Sequence, residues 1–102
     1  MTFTKTVGEN QIVYELEGRL DAVSSPEMES ELEPDLEAGD RDILLDISKV
    51  QYISSAGLRI LLVAHKKSLR NNRVLSIAGV NQSIREIFDI TGYSAMLNIV
   101  QI

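Results

Sequence analysis

Apolar and polar residues alternate over much of the first twenty positions, and this period of two is typical of β-strands. Two such runs, Phe3–Val7 and Gln11–Leu20, are separated by Gly8-Glu9-Asn10. Glycine and asparagine readily adopt the positive φ angles of a tight connection. The chain is therefore predicted to begin with a β-hairpin.

A different spacing follows, in which apolar residues recur every four positions and indicate one face of a helix. These residues are Met28, Leu32 and Leu36. Ser25 is suited to cap the first turn and Pro26 to occupy the first helical position, while Gly39-Asp40 ends the helix. Pro34 lies inside this segment and cannot donate a backbone hydrogen bond, so we expect the helix to be bent or broken there.

The middle of the chain combines a short apolar run with a second helical pattern. Ile43–Ile47 is typical of a buried central strand. Helical spacing then extends from Ser54 to Arg70, where Asn71-Asn72 supplies a stop. The residues predicted to share one side of this helix are Leu58, Leu61, Leu62 and His65.

The last third repeats the order of strand and helix. Arg73–Ala78 is a predicted strand, Asn81 can cap a helix that Gly92 ends, and Leu97–Ile102 is the predicted last strand. The apolar face of that helix carries Ile84, Ile87 and Phe88. Because strands and helices alternate after the hairpin, we predict an α/β fold, with a mixed sheet, helices packed on it and right-handed crossovers between parallel strands.

Composition narrows the functional classes. The chain has 102 residues and is predicted to form a single domain, 1–102. Fifteen acidic residues against ten basic ones give a net charge of −5, which disfavours direct nucleic-acid binding. With no cysteine, disulfides and cysteine-based zinc sites are excluded. No signal segment or membrane-spanning run occurs, so we predict a cytoplasmic protein without membrane insertion.

The sequence patterns of common enzymes are missing. The only histidine, His65, would lie about 15 Å from Ser55 along one helix, which is too far for a serine hydrolase. No glycine-rich phosphate-binding loop occurs, and one histidine without cysteine cannot define a zinc site. The acidic series from 27 to 37 is best explained as a solvated face. We predict a non-enzymatic protein without metal or cofactor.

The most informative segment runs from Asp46 to Leu58, from a predicted strand into a predicted helix. Its two adjacent serines, Ser54 and Ser55, have a structural interpretation, in which one caps the helix and Gly57 permits close packing. They also have a functional interpretation, because free N–H groups and the helix dipole make this position tolerant of a phosphate. A phosphate there would act mainly on a docked partner.

These residues resemble a known family. Asp46-Ile47-Ser48 and Tyr52-Ile53-Ser54-Ser55-Ala56-Gly57-Leu58 are similar to the signature of STAS-domain anti-sigma factor antagonists. The similarity continues through Arg59-Ile60-Leu61-Leu62, and the strand end Gly18-Arg19-Leu20-Asp21 and the pattern from Ser76 to Gly92 extend it over nearly the whole chain.

The resemblance implies a fold and a regulatory mechanism. It implies a sheet of four to five strands with helices on one side, and a partner that is both an anti-sigma factor and a serine kinase. In this family the unphosphorylated antagonist binds that partner and frees a sigma factor, phosphorylation breaks the complex, and a phosphatase restores it. The usual acceptor maps to Ser55. Well-understood members often have Asp before the acceptor, where this chain has Ser54, which makes Ser54 a second candidate.

The resemblance also implies supporting residues. Asp21 would either orient the Ser55 hydroxyl or act as a turn residue. Partner-facing surface is expected from Leu58, Arg59 and Leu62, with at least one leucine in the core, and from the neighbouring Ala56 and Gly57. The alternative function on the same fold is a constitutive scaffold subunit of a membrane transport complex or a larger signalling assembly.

Overall fold

The computed structural model describes residues 1–101, which form one five-stranded sheet and four helices. The elements follow one another as β1 (Thr2–Val7), β2 (Gln11–Leu20), α1 (Ser24–Ala38), β3 (Asp42–Ile53), α2 (Ser55–Arg70), β4 (Leu75–Ala78), α3 (Gln82–Thr91), α4 (Tyr93–Met96) and β5 (Asn98–Val100).

The strands lie side by side in the order β1-β2-β3-β4-β5. Strands β1 and β2 form the predicted antiparallel hairpin, and every later neighbour is parallel. Alternation along β3 distinguishes the two faces of the sheet, because Ile43, Leu45 and Ile47 are buried while Leu44 and Asp46 are partly exposed. The helices cover the buried face, and the predicted mixed α/β sheet with helices on one side is confirmed.

The helices share one apolar core with the sheet. The apolar residues that they bury are Met28, Leu32 and Leu36 from α1, Leu58, Ile60, Leu61 and Ala64 from α2, and Ile84 and Phe88 from α3. Helices α1 and α2 run in the same direction. Lys67 Nζ lies 3.4 Å from Glu33 Oε2, and further along both helices Asn71 Nδ2 donates to the Leu36 carbonyl over 3.1 Å.

Helix α1 corrects two expectations. Ser25 does not cap it: the residue is buried in the first turn, and its hydroxyl has no hydrogen-bond partner within residues 1–101. The carboxylate of Asp21 instead accepts from the N–H groups of Val23 and Ser24. Pro34 does not break the helix, which continues to Ala38. Burial of the apolar stripe on both sides of the proline outweighs the lost backbone hydrogen bond.

Several predicted boundaries also change. Strand β3 continues to Ile53 instead of ending at the predicted Ile47, and β4 starts only at Leu75. A short helix, Tyr93–Met96, precedes the last strand, Asn98–Val100, and the predicted end of that strand at Ile102 lies outside the described residues. In α2 the buried side includes Ile60 and Ala64, whereas Leu62 and His65 are only partly buried.

The predicted helix ends are largely confirmed. Gly39 ends α1 with a left-handed φ of 60°, and Asn71 and Asn72 follow α2. Asn81 caps α3, because its side-chain oxygen accepts from the Ile84 N–H over 2.9 Å. Gly92 ends the same helix.

A polar cluster joins β1 and β2 to α1. The buried Tyr14 donates its hydroxyl to the Asp35 carboxylate, and Lys5 Nζ lies 2.8 Å from the same carboxylate. Burial raises the pKa of Asp35, but the hydrogen bonds from Lys5 and Tyr14 and the Lys5 charge outweigh this effect and lower the pKa below its ordinary value. Burial, and then the contact with Asp35, raise the pKa of Tyr14.

We expect Asp35→Asn to lower the free energy of unfolding at neutral pH by about 1.5–3 kcal/mol, the range for hydrogen bonds to a charged group. Because folding lowers the pKa of Asp35, its contribution is complete above the unfolded-state pKa and is lost as the pH falls through the folded-state value. The difference between wild type and variant should therefore shrink in acid. Urea unfolding as a function of pH measures it, with the exposed Asp40→Asn as control. A constant difference down to low pH would contradict this role.

Candidate functional site

The candidate site lies where β2 and β3 end side by side. Leu20 and Ile53 are register partners, and the Ser54 N–H donates to the Leu20 carbonyl over 2.9 Å. Helix α2 begins at the next residue, Ser55. The site is therefore positioned by a strand pair and by the first turn of a core helix.

Ser54 is the N-cap of α2. Its backbone is extended, with φ −87° and ψ 173°, and its hydroxyl oxygen accepts from the Gly57 N–H over 3.3 Å. Its carbonyl accepts the first helical hydrogen bond, from the Leu58 N–H over 2.9 Å. The Ser54 hydroxyl is therefore engaged in holding the helix start.

Ser55 differs from its neighbour in both exposure and bonding. It occupies the first helical position and is exposed, whereas Ser54 is partly buried. Its hydroxyl makes no hydrogen bond with any residue from 1 to 101. The position lies at the positive end of the α2 dipole, beside N–H groups without helical partners. A nucleophilic hydroxyl is thus presented to solvent where an added anion is electrostatically favoured.

Gly57 allows the helix to approach β2 closely. A Cβ atom at this position would lie 2.8 Å from Leu20 Cγ and 2.9 Å from the Leu20 carbonyl oxygen. Both distances are shorter than real Cβ contacts allow, and one of the two atoms belongs to the backbone. The glycine is therefore needed for packing.

Asp21 bonds within its own turn. Its Oδ1 accepts from Val23 N at 3.0 Å, Ser24 N at 3.1 Å and Ser24 Oγ at 3.2 Å. The backbone hydrogen bond from Ser24 is the main cause that lowers the pKa of this carboxyl. Of the two roles considered for Asp21, these contacts match the turn residue, and they join the start of α1 to the end of β2.

The ends of β2 and β3 also carry exposed residues to which the sequence assigned no role at the site. Val23 is 77% exposed and Tyr52 is 40% exposed. The Arg19 guanidinium lies 4.4 Å from the centre of the Tyr52 ring, within cation–π range, and 4.0 Å from Asp21 Oδ2. The strands bring these side chains together because Arg19 and Tyr52 are register partners. Their pairing depends on register shifts in β2, which the sequence pattern does not reveal.

The remaining predicted surface residues separate into two groups. Arg59 is exposed, and Ala56 and Leu62 are partly exposed. Leu58 is only 5% exposed and belongs to the core. The structure therefore places Leu58 in the core, while Leu62 packs against the core and stays partly exposed.

Neither a metal site nor a membrane-spanning helix is found within residues 1–101. No group of three or more His, Cys, Asp or Glu side chains in this part of the chain could hold a metal ion. No helix in it is long and apolar enough to span a membrane.

Comparison with known proteins identifies the family. A family model described as the STAS domain matches residues 2–101. The chain therefore belongs to the STAS domain family, which confirms the resemblance seen in the sequence. Membership of this family, together with similarity to an anti-sigma-B factor antagonist, indicates a binding protein rather than an enzyme.

One curated relative and two solved structures illustrate the similarity. The anti-sigma-B factor antagonist of Staphylococcus aureus is 34% identical, over 80% of this chain and 76% of its own length. An anti-sigma factor antagonist from Mycobacterium paratuberculosis has a TM-score of 0.85 at 19% identity, covering 96% and 83% of the two chains. The Bacillus cell fate determinant SpoIIAA, in its phosphorylated form, has a TM-score of 0.77 at 15% identity, covering 99% and 91%.

We expect Gly57→Ala to lower the free energy of unfolding by about 2 kcal/mol, a typical cost of overpacking a tight contact. The added methyl group would collide with Leu20, and part of that contact is backbone. Chemical denaturation measures the change. Ser55→Ala is the matched control, since the exposed hydroxyl packs against nothing and its loss should change stability by less than about 0.5 kcal/mol. Equal stability of Gly57→Ala and wild type would contradict the packing role.

Proposed function

We propose that the protein is an anti-sigma factor antagonist whose binding is gated by phosphorylation of Ser55. Unphosphorylated, it binds an anti-sigma factor that is also a serine kinase and thereby frees a sigma factor; a cognate phosphatase reverses the modification. The observation that carries the proposal is an exposed serine hydroxyl without a hydrogen-bond partner in residues 1–101, at the first position of a core helix. The names of the relatives support the partner class.

The geometry favours Ser55 over Ser54 as the acceptor. A phosphate on Ser54 would replace the hydroxyl that accepts from Gly57 and would have to fit a partly buried position. A phosphate on Ser55 would extend into solvent and would face the positive end of the helix dipole. Modification of Ser55 is therefore compatible with an unchanged fold.

The switch acts through the partner rather than through the fold. A phosphate adds a charge of about −1.5 to −2 at neutral pH. A partner docked over Ser55 and the first turn of α2 would have to desolvate this charge, which costs several kcal/mol unless a cation lies opposite. Since about 1.4 kcal/mol changes affinity tenfold, one phosphate is sufficient to dissociate a modest interface.

The proposed setting is a single STAS domain that works in the cytoplasm, where sigma factors, kinases and phosphatases meet. It binds no nucleic acid directly, because its net charge of −5 opposes contact with phosphate backbones.

We expect Ser55→Asp to weaken binding to the anti-sigma factor at least tenfold, because the carboxylate places an uncompensated charge in the interface. Ser55→Ala should bind like wild type. Pull-down from a lysate of the source organism identifies the kinase-like partner, and calorimetry with the purified partner gives the affinities. If wild type, Ser55→Asp and Ser55→Ala all retain the same transporter or scaffold subunits equally, the protein is a constitutive scaffold. The proposal of a phosphorylation switch is then wrong.

We expect the purified partner kinase and ATP to phosphorylate wild type and Ser54→Ala but not Ser55→Ala. Phosphate incorporation followed by peptide mass spectrometry locates the acceptor. Ser54→Ala should lose about 1 kcal/mol of stability through its missing helix cap, so its folding is checked by circular dichroism. Phosphate found on Ser54 alone would contradict the assignment.

A further inference from the structure

The outer edge of β1 leaves backbone groups without partners. Strand β1 pairs only with β2, and no other strand within residues 1–101 lies along its other side. The Gly8 N–H donates to the Gln11 carbonyl over 2.8 Å, which fixes the alternation of hydrogen-bonded pairs along the hairpin. The N–H and C=O groups of Phe3, Lys5 and Val7 therefore point away from β2, towards the edge.

A groove of about 650 Å³ lies beside this edge, between β1 and α1. It is lined by Phe3 and Lys5 from the strand and by Glu27, Ser30, Glu31 and Pro34 from the helix. A strand added to β1 would lie about 4.8 Å from it, alongside this groove. An added strand would therefore find free backbone N–H and C=O groups on β1 and, beside them, a groove that can take up its side chains.

The groove is rich in negative charge and hydrogen-bond acceptors. Glu27 and Glu31 are exposed, and neither forms an ion pair with another residue of the described chain. Met1 also lines the groove, and the one lysine or arginine among its lining residues, Lys5, is held by Asp35 at 2.8 Å. Because Pro34 has no N–H, the Ser30 carbonyl lacks the donor four residues ahead that a helix normally supplies. The groove therefore complements a basic ligand.

We propose that this edge and groove bind an extended, basic segment of a partner protein, which adds to the sheet as a further strand beside β1. Alternate side chains of the added strand face opposite sides of the sheet. Lys or Arg at every second position reaches Glu27 and Glu31, while the intervening residues face the row formed by Thr2, Thr4 and Thr6. Backbone hydrogen bonds supply affinity, and the acidic flank of α1 selects the charge.

A second copy of this chain fits the edge poorly. Its β1 would contribute a single lysine whose charge Asp35 already neutralises. It would also bring another acidic α1 towards the first, between molecules that each carry a net charge of −5. The charge of the groove therefore favours a basic partner over self-association.

The test uses capped peptides of alternating Val and Lys, and of alternating Val and Glu, titrated into the full chain. We expect the Val-Lys peptide to bind and the Val-Glu peptide not to bind. Binding should change the NMR chemical shifts of the backbone amides of Phe3, Lys5 and Val7. Glu27→Gln with Glu31→Gln should weaken binding about fivefold, which corresponds to the loss of two exposed ion pairs. Val7→Pro should also weaken it, because it removes an outward N–H without removing a bond to β2.

The matched control is Glu9→Gln with Glu86→Gln, which changes the net charge equally at exposed positions outside the groove. Equal weakening by this control, equal binding of the Val-Glu peptide, or a dimer in ultracentrifugation whose formation Val7→Pro abolishes would each overturn the proposal. Ser55→Asp should bind the Val-Lys peptide like wild type, so failure of this proposal is distinguishable from failure of the phosphorylation switch.

Discussion

The contact between Leu20 and the first turn of α2 determines how the sheet and the helices are joined. The Ser54 N–H donates to the Leu20 carbonyl, and Gly57 lies so close to Leu20 that a side chain cannot be accommodated. This contact places Ser55 at the helix start and fixes the direction in which α2 crosses the sheet. Because α2 shares the core with α1, β3 and β4, the position of the Ser55 hydroxyl and the packing of the domain both depend on the close contact between Gly57 and Leu20.

Much of this architecture could be predicted from local patterns. The hairpin, the cap at Asn81, a serine cap at the start of α2, and the glycines that end α1 and α3 follow from residue types whose backbone preferences are strong. The Ser54-Ser55 pair could be recognised as a candidate site from the sequence. The two serines lie at a predicted helix start after a buried strand, and they belong to a family motif. Which of the two serines caps the helix could not be predicted from the sequence. The structure shows that it is Ser54.

The failures have a common cause, which is that tertiary contacts override local preference. Pro34 is tolerated because the apolar stripe of α1 remains buried on both sides of it. The neighbourhood of Arg19 and Tyr52 depends on two register shifts between β2 and β3, and an alternation pattern contains no sign of such shifts. Strand β3 extends past Ile47 because β2 pairs with it as far as Ile53. Apolar and polar residues do not alternate regularly from 48 to 52, so the sequence pattern did not indicate this extension.

The parallel arrangement of α1 and α2 has an electrostatic consequence for a chain that is acidic overall. Both helices begin at the edge of the domain that carries Ser55, so the positive ends of their dipoles add there, while the carboxylates of α1 are spread along its flank. An anionic group added at this edge would therefore face the positive ends of two helix dipoles rather than of one.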